Sequence, residues 1–181
     1  MIQDKSNDRE KNTLKKTLVL YTMNEIQGIK SIFDKIPIHL FDQFFVMDNH
    51  SDDGTVKFLE ERGVRVIQQK KPGRTNALIE AVGYAIGDII VSLSSDGNEK
   101  PEDIPKILEK FDEGYEMVTA SRFLPDSKVD VGDDKLRIRV FGNKLCAFLV
   151  NACWGTNVTD TTNGLRGITK SCYKRTKLNT F

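Results

Sequence analysis

At 181 residues the chain is long enough for one domain with a full core, and 39% hydrophobic against 29% charged residues is an ordinary balance for a globular protein. Its 27 Lys and Arg against 26 Asp and Glu leave no global field to draw in a polyanion, which argues against a nucleic-acid module. No run approaches about 18 apolar residues and no signal-peptide core is present, so neither a membrane span nor export is expected and the cytosol is the compartment implied.

Residues 1 to 16 are polar and lysine-rich and read as a disordered tail ahead of a domain over 17 to 170. The first strand is expected at Thr17 to Thr22, closing on Met23-Asn24-Glu25, after which Ile26, Ile29, Ile32 and Phe33 recur at helical spacing. Phe44 to Met47 is a second buried strand, ending in Asp48-Asn49-His50-Ser51-Asp52-Asp53-Gly54-Thr55. Ser51 or Asp53 is placed to cap the helix that follows.

Gly63 stops that helix, and Val64 to Gln68 forms a third strand. Lys70-Lys71-Pro72-Gly73-Arg74 is then a basic turn into a helix with Ala77, Leu78, Ala81 and Ala85 on one face. Ile89, Ile90, Val91 and Leu93 make a β-branched apolar run, too short for a helix and right for a central strand. It breaks into Ser94-Ser95-Asp96-Gly97-Asn98-Glu99, and Pro101 opens a helix to Phe111 with Glu102 and Asp103 in its first turn. Met117 to Ala120 is a fifth strand running into Ser121-Arg122.

Phe123 to Lys135, with the pair Asp133-Asp134, reads as a mobile loop. Arg137 to Trp154 is one helix whose apolar face is Val140, Phe141, Leu145, Phe148 and Leu149, a buried or surface-docking element. Asp160 to Gly164 is a turn before a short strand at Leu165 to Ile168, and 171–181 is a basic end. Cys146, Cys153 and Cys172 form no CxxC pair and no metal spacing with His39 and His50, so they are expected as buried, reduced thiols.

Strand–helix alternation with short connections argues for an α/β fold with a parallel, doubly wound sheet covered by helices on both faces. In such a sheet Asn24/Glu25, Asp48/Asn49, Asp96/Asn98 and Ser121/Arg122 lie along one edge, where open α/β sheets bind ligands. An Asp-Gly-Asn turn alone is an ordinary turn; four polar strand ends converging make a site. The turn after strand one, Tyr-Thr-Met-Asn-Glu, has no glycines to admit a pyrophosphate, which excludes a dinucleotide or P-loop fold. Hard oxygen donors around Asp96 suit Mg²⁺ or Mn²⁺ shared with substrate phosphates.

Leu20 to Glu25, Val46 to Thr55, Gly87 to Val91 and Asp160 to Arg166 together resemble family 2 glycosyltransferases, in order from about Thr17 to Ile168. The branch they are most similar to is the dolichol- or polyprenyl-phosphate sugar synthases. That resemblance implies a GT-A fold, a Rossmann-like and mainly parallel sheet, and inverting hexosyl transfer from a nucleotide-diphosphate sugar. It implies a lipid-phosphate or similar acceptor and contact with the cytoplasmic face of a membrane.

Carried over by position, Thr22, Asn24 and Glu25 line the nucleotide pocket, and Asp48 and Asn49 face the base or ribose. Gly73, Arg74 and Ser95 lie near the nucleotide, and Asp96 with Asn98 holds the metal. Arg122 and Asp160 join Asp96 as catalytic residues. Arg137 or Arg139, with Asn143, meets the acceptor phosphate. An acceptor phosphate needs no general base, whereas a hydroxyl acceptor would call on Asp160. Ser94 stands where the family has the first Asp of its DxD motif, and relatives continue further after Asp160. Those departures set a second reading beside the first, a degenerate or truncated relative that binds nucleotide sugar without catalysis.

Overall fold

A computed structural model describes residues 14–124 and 134–176, with side chains at 14–124, 140–153 and 155–176. Most of the expected tail, 125–133 of the expected Phe123 to Lys135 loop, and 177–181 of the basic end lie outside the described residues, as does the Trp154 side chain.

Strands β1 (Lys16–Thr22), β2 (Gln43–Asp48), β3 (Val66–Gln68) and β4 (Ile89–Ser94) alternate with helices α1 (Ile26–Ile32), α2 (Thr55–Glu60) and α3 (Arg74–Tyr84). Then come α4 (Ile104–Asp112), β5 (Met117–Thr119), α5 (Asp134–Trp154), β6 (Arg166–Thr169) and α6 (Lys170–Arg175). The helix expected from Pro101 splits, because Pro101–Asp103 forms a 3₁₀ turn before α4 begins.

The sheet order is β3-β2-β1-β4-β6-β5. β1 pairs in parallel with both β2 and β4, and β2 with β3. β6 runs antiparallel to β4 and to β5, so it inserts between two strands that share one direction. The sheet is therefore mainly parallel with one reversed strand, rather than parallel throughout. Register levels the strand ends: Thr22 lies beside Asp48, and Tyr21 beside Ser94.

Both faces of the central strands are buried, which explains their near-continuous apolar runs. Leu18, Leu20, Val91 and Leu93 pack with Ile29, Ile104 and Phe111 on one face. Val19, Phe45, Met47 and Ile90 pack with Ala81 of α3 and Tyr173 of α6 on the other. This is the period-two alternation of a strand, and each fully buried Leu, Ile or Phe stabilises the fold by roughly 1.5–3 kcal/mol.

Of the two roles expected for α5, buried or surface-docking, the exposure of its apolar face agrees with the second. Asn143 and Ala147 are buried, while Phe141 and Phe148 are 70% and 67% exposed and Leu145 and Leu149 about half exposed. Cys146 and Cys153 on the same helix are exposed and Cys172 is half-buried, so the thiols are not the buried hydrophobes their count suggested.

Candidate functional site

The ends of β1 and β2 are joined by side chains bonding to backbone. Asn24 adopts a left-handed φ of 55°. Its amide N–H donates to Ser51 Oγ at 2.8 Å, and its Oδ1 accepts the Asp52 N–H at 2.8 Å. Asp53 bridges two helix starts, accepting the Ile26 N–H at 3.0 Å on one oxygen and the Thr55 N–H at 2.9 Å on the other. The helix cap foreseen for Ser51 or Asp53 is thus met by Asp53, although Gly54 occupies the position just before α2.

Asp48 is fully buried and accepts both the N–H and the hydroxyl of Ser51. It therefore shapes the loop from within instead of facing a base or ribose. Asn49 donates its backbone N–H to Thr22 O at 3.0 Å and its side-chain amide to Met23 Sδ, which leaves it at the β1–β2 edge.

Beyond β4 the chain turns tightly through Asp96 and Asn98, both exposed, and the Asn98 N–H donates to Asp96 Oδ1 at 3.0 Å. The loop descends onto α1 because Gly28 has no side chain: a Cβ there would stand 2.9 Å from the Asp96 carbonyl carbon and nearer still to Ser95 O. Burial, then the neighbouring charges of Asp96 and Asp53, push the Glu25 carboxyl above its ordinary range. The Thr22 and Ser95 hydroxyls are buried and make no hydrogen bond among the described residues, a costly state for a polar group. Two orphaned hydroxyls beneath an exposed Asp and Asn fit a pocket meant for a polar ligand.

No cluster of three or more His, Cys, Asp or Glu poised for a metal occurs among the described residues. The donors fit a cation of another kind. Mg²⁺ and Mn²⁺ accept one carboxylate when substrate phosphates complete the shell, and Asp96 Oδ2 with the Asn98 amide supplies hard oxygen donors for that.

The basic turn is held from below by two residues that belong to no motif. Buried Gln69 donates its amide to Gly73 O at 2.9 Å and to Lys71 O. Glu80 accepts the Lys70 N–H at 2.9 Å and the Lys71 N–H at 3.1 Å. Gly73 takes a φ of 104° at the entry to α3, and Arg74 is exposed. Burial, and after it the charge of Arg74, lower the Arg166 pKa, so two guanidinium groups share this corner. The Tyr21 hydroxyl lies buried nearby without a partner among the described residues, and burial raises its pKa.

Asp160 is the most committed side chain of the site. Its Oδ2 accepts Arg122 Nε at 2.8 Å, and its Oδ1 accepts Arg122 Nη2 at 3.1 Å and Asn143 Nδ2 at 3.0 Å. The Thr162 and Asn163 N–H groups also donate to Oδ1, at 3.1 and 3.2 Å. Burial alone would raise this carboxyl, but the Arg122 bonds and backbone donors outweigh it and bring the pKa to about 2. Such a carboxylate is an anchor and a poor base.

Asn143 is part of the same clasp, since its Oδ1 accepts the Thr161 N–H and hydroxyl. Being buried and spoken for, it does not reach toward an acceptor. Arg122 remains 42% exposed along its side chain. Arg137 and Arg139 lie near the start of α5, and their side chains are outside the described residues. An open pocket of about 450 Å³ adjoins the clasp, lined in part by Thr119, Ser121, Asp160 and Arg166. The structure thus brings Thr22, Asn24, Glu25, Ser95 and Asp96 to one edge, with Arg122 and Asp160 at its far end.

The family model described as "Glycosyl transferase family 2" matches residues 18–176. An uncharacterized glycosyltransferase of Mycobacterium bovis is 29% identical over 106 residues, covering 59% of this chain and 48% of its own length. Dolichyl-phosphate hexose transferase of Haloferax volcanii is 30% identical over 152 residues, 82% of this chain and 64% of that protein. The chain thus spans about half to two thirds of the length of these relatives. Among solved structures, glucosyl-3-phosphoglycerate synthase of Mycobacterium tuberculosis, in complex with Mn²⁺, UDP and glucosyl-3-phosphoglycerate, superposes with a TM-score of 0.70 at 24% identity. That match covers 88% of this chain and 58% of the synthase. The chain belongs to glycosyl transferase family 2, and its fold is GT-A.

Proposed function

We propose that this family 2 protein transfers a hexose, with inversion, from a nucleotide-diphosphate sugar to a polyprenyl phosphate or similar lipid phosphate at a membrane surface. The observation that carries the acceptor class is the clasp on Asp160. A hydroxyl acceptor needs a base, and Asp160 is held at a pKa of about 2 by Arg122 and backbone donors. A phosphate acceptor is already anionic and needs none. The exposed Phe141, Leu145, Phe148 and Leu149 of α5 support a lipid-borne acceptor, since apolar area of this kind favours an apolar medium. No helix among the described residues is long and apolar enough to cross a membrane.

In this reading Thr22, Asn24, Glu25 and Ser95 line the nucleotide side, and Gly73 and Arg74 stand by its phosphates. Asp48 and Asn49 contribute by shaping the loop. Asp96, with Asn98, would hold a divalent cation, which would supply positive charge to offset that of a departing diphosphate. Arg122, with Arg137 and Arg139, orients the acceptor phosphate, for which guanidinium forks are suited. An acceptor oxygen attacks the anomeric carbon opposite the diphosphate, the glycosidic C–O bond breaks, and the nucleoside diphosphate leaves with the bonding electrons.

Ser94, in place of a first motif Asp, motivates the second reading of a nucleotide-sugar-binding relative without transfer. The test offers a panel of nucleotide-diphosphate sugars with Mn²⁺ or Mg²⁺ to purified protein, with polyprenyl phosphate in vesicles or 3-phosphoglycerate in solution. Sugar transfer to the lipid phosphate is expected. Transfer to the soluble acceptor alone would overturn the acceptor, and thermal stabilisation with no transfer would favour the second reading.

A further inference from the structure

We propose that Glu99 is a positioning residue whose carboxylate ties the loop bearing Asp96 and Asn98 to the turn bearing Asp160. The inference deepens the donor-site reading above and rests on it for its functional consequence. The β4–β6 ladder ends at Ser92 opposite Arg166, with Ser92 Oγ donating to Gly164 O at 3.1 Å. Two residues later the Ser94 N–H points the same way with no strand to meet it. Glu99 Oε2 accepts that N–H at 2.7 Å. Its Oε1 lies against Gly164, and burial pushes the Glu99 pKa up while the Ser94 and Gly164 backbone N–H groups oppose that push. A side chain from the loop thus extends the sheet past the end of its backbone pairing.

Gly164 makes the close approach possible. A Cβ there would lie 2.5 Å from Arg74 Nη2 and nearer still to Glu99 Oε1. The loop of 94–99, the turn of 160–164 and the start of α3 therefore meet around one carboxylate. Ser94 withholds a carboxylate from the strand end, and Glu99 returns one to the same place. Its Oε2 is engaged by the Ser94 N–H and its Oε1 faces Gly164, so its task is to hold the metal loop in place, with Asp96 keeping the ligand role. Glutamine cannot do this equally well: it offers one oxygen to two donors and turns its NH₂ against the other.

The experiment titrates UDP with Mn²⁺ into wild type, Glu99→Gln, Gly164→Ala and the exposed control Glu113→Gln, well below their melting temperatures. Roughly tenfold weaker binding is expected for Glu99→Gln and for Gly164→Ala, about 1.4 kcal/mol, with the control unchanged. Because the alanine Cβ crowds Glu99 and the Arg74 guanidinium together, adding Gly164→Ala to Glu99→Ala should cost clearly less than the sum of the two single changes. A role in fold stability alone would lower the melting temperature and leave binding by the folded fraction within twofold of wild type, which would overturn the proposal, as would additive effects in the double variant.

Amide exchange separates the two readings. If wild type binds no nucleotide, the donor reading fails, and the tie is judged by exchange at Ser94 and Gly164 in Glu99→Ala. At least tenfold faster exchange at both amides supports the tie, and unchanged exchange overturns it.

Discussion

The two ends of the sheet are built on opposite plans. From β1 to β4 the strands are parallel, and bonds such as Asn24 to Ser51 and Asp53 to Ile26 join the loops after β1 and β2. From β5 to β6 the pairing is antiparallel, and its loops converge on one buried charge, Asp160. The first region leaves Asp96 and Asn98 exposed and the buried hydroxyls of Tyr21, Thr22 and Ser95 without a partner among the described residues. The second satisfies its polar groups inward and turns Phe141 and Phe148 outward. One end leaves polar groups without partners and the other leaves apolar rings exposed.

The sharpest way to break this contrast is Asp96→Ala. Asp96 is exposed and its bond to Asn98 is local, so stability should stay within about 0.5 kcal/mol, while metal-dependent transfer falls by roughly a hundredfold or more. Turnover equal to wild type would remove Asp96 from the metal site. Asp160→Ala should behave the other way. It strands Asn143, the backbone N–H groups of Arg122, Thr162 and Asn163, and the Arg122 fork, costing about 2–4 kcal/mol and roughly 5–10 °C in Tm. Calorimetry of the variant decides this.

The Asp160 carboxyl is depressed on folding from the ordinary 3.8 to about 2. Its contribution is therefore complete above about pH 4 and is lost as pH falls toward 2, amounting to about 2 kcal/mol. Denaturant melts between pH 5 and 2 should show that loss in wild type and a flatter profile in Asp160→Asn. The double change Phe141→Ser and Phe148→Ser should leave Tm nearly unchanged, because both rings are exposed, and should abolish co-sedimentation with lipid vesicles. Thr22→Val is the smallest: removing an unpartnered buried hydroxyl should raise stability by up to about 1 kcal/mol and weaken nucleotide binding.

Much of the first region was legible in the sequence. The run Ile89 to Leu93, the polar residues after each strand and the helical spacing after Asn24 are local signals, and local signals fix strands and helices. What was not legible depends on distant partners. The reversal of β6 is set by its pairing with β4 and β5, and nothing within Arg166 to Thr169 states a direction. Periodicity in α5 reveals an apolar face without saying which way it turns, and Asn143 turns inward because Asp160 and Thr161 wait there. Asp48 and Asn24 look alike as polar strand-end residues, yet one is buried under Ser51 and the other is exposed. Gly28 and Glu99 carry no motif, and only close approaches across the fold give them their roles.

Backbone amide exchange with each ligand in turn tests the division of labour most directly. UDP with Mn²⁺ should protect amides at 22–28 and 94–99 and leave 140–150 unchanged. Vesicles carrying polyprenyl phosphate should protect 140–150 and the amides around Arg122. Vesicle protection at the β1–β4 ends, or nucleotide protection confined to α5, would contradict the assignment of donor and acceptor to opposite ends of the sheet.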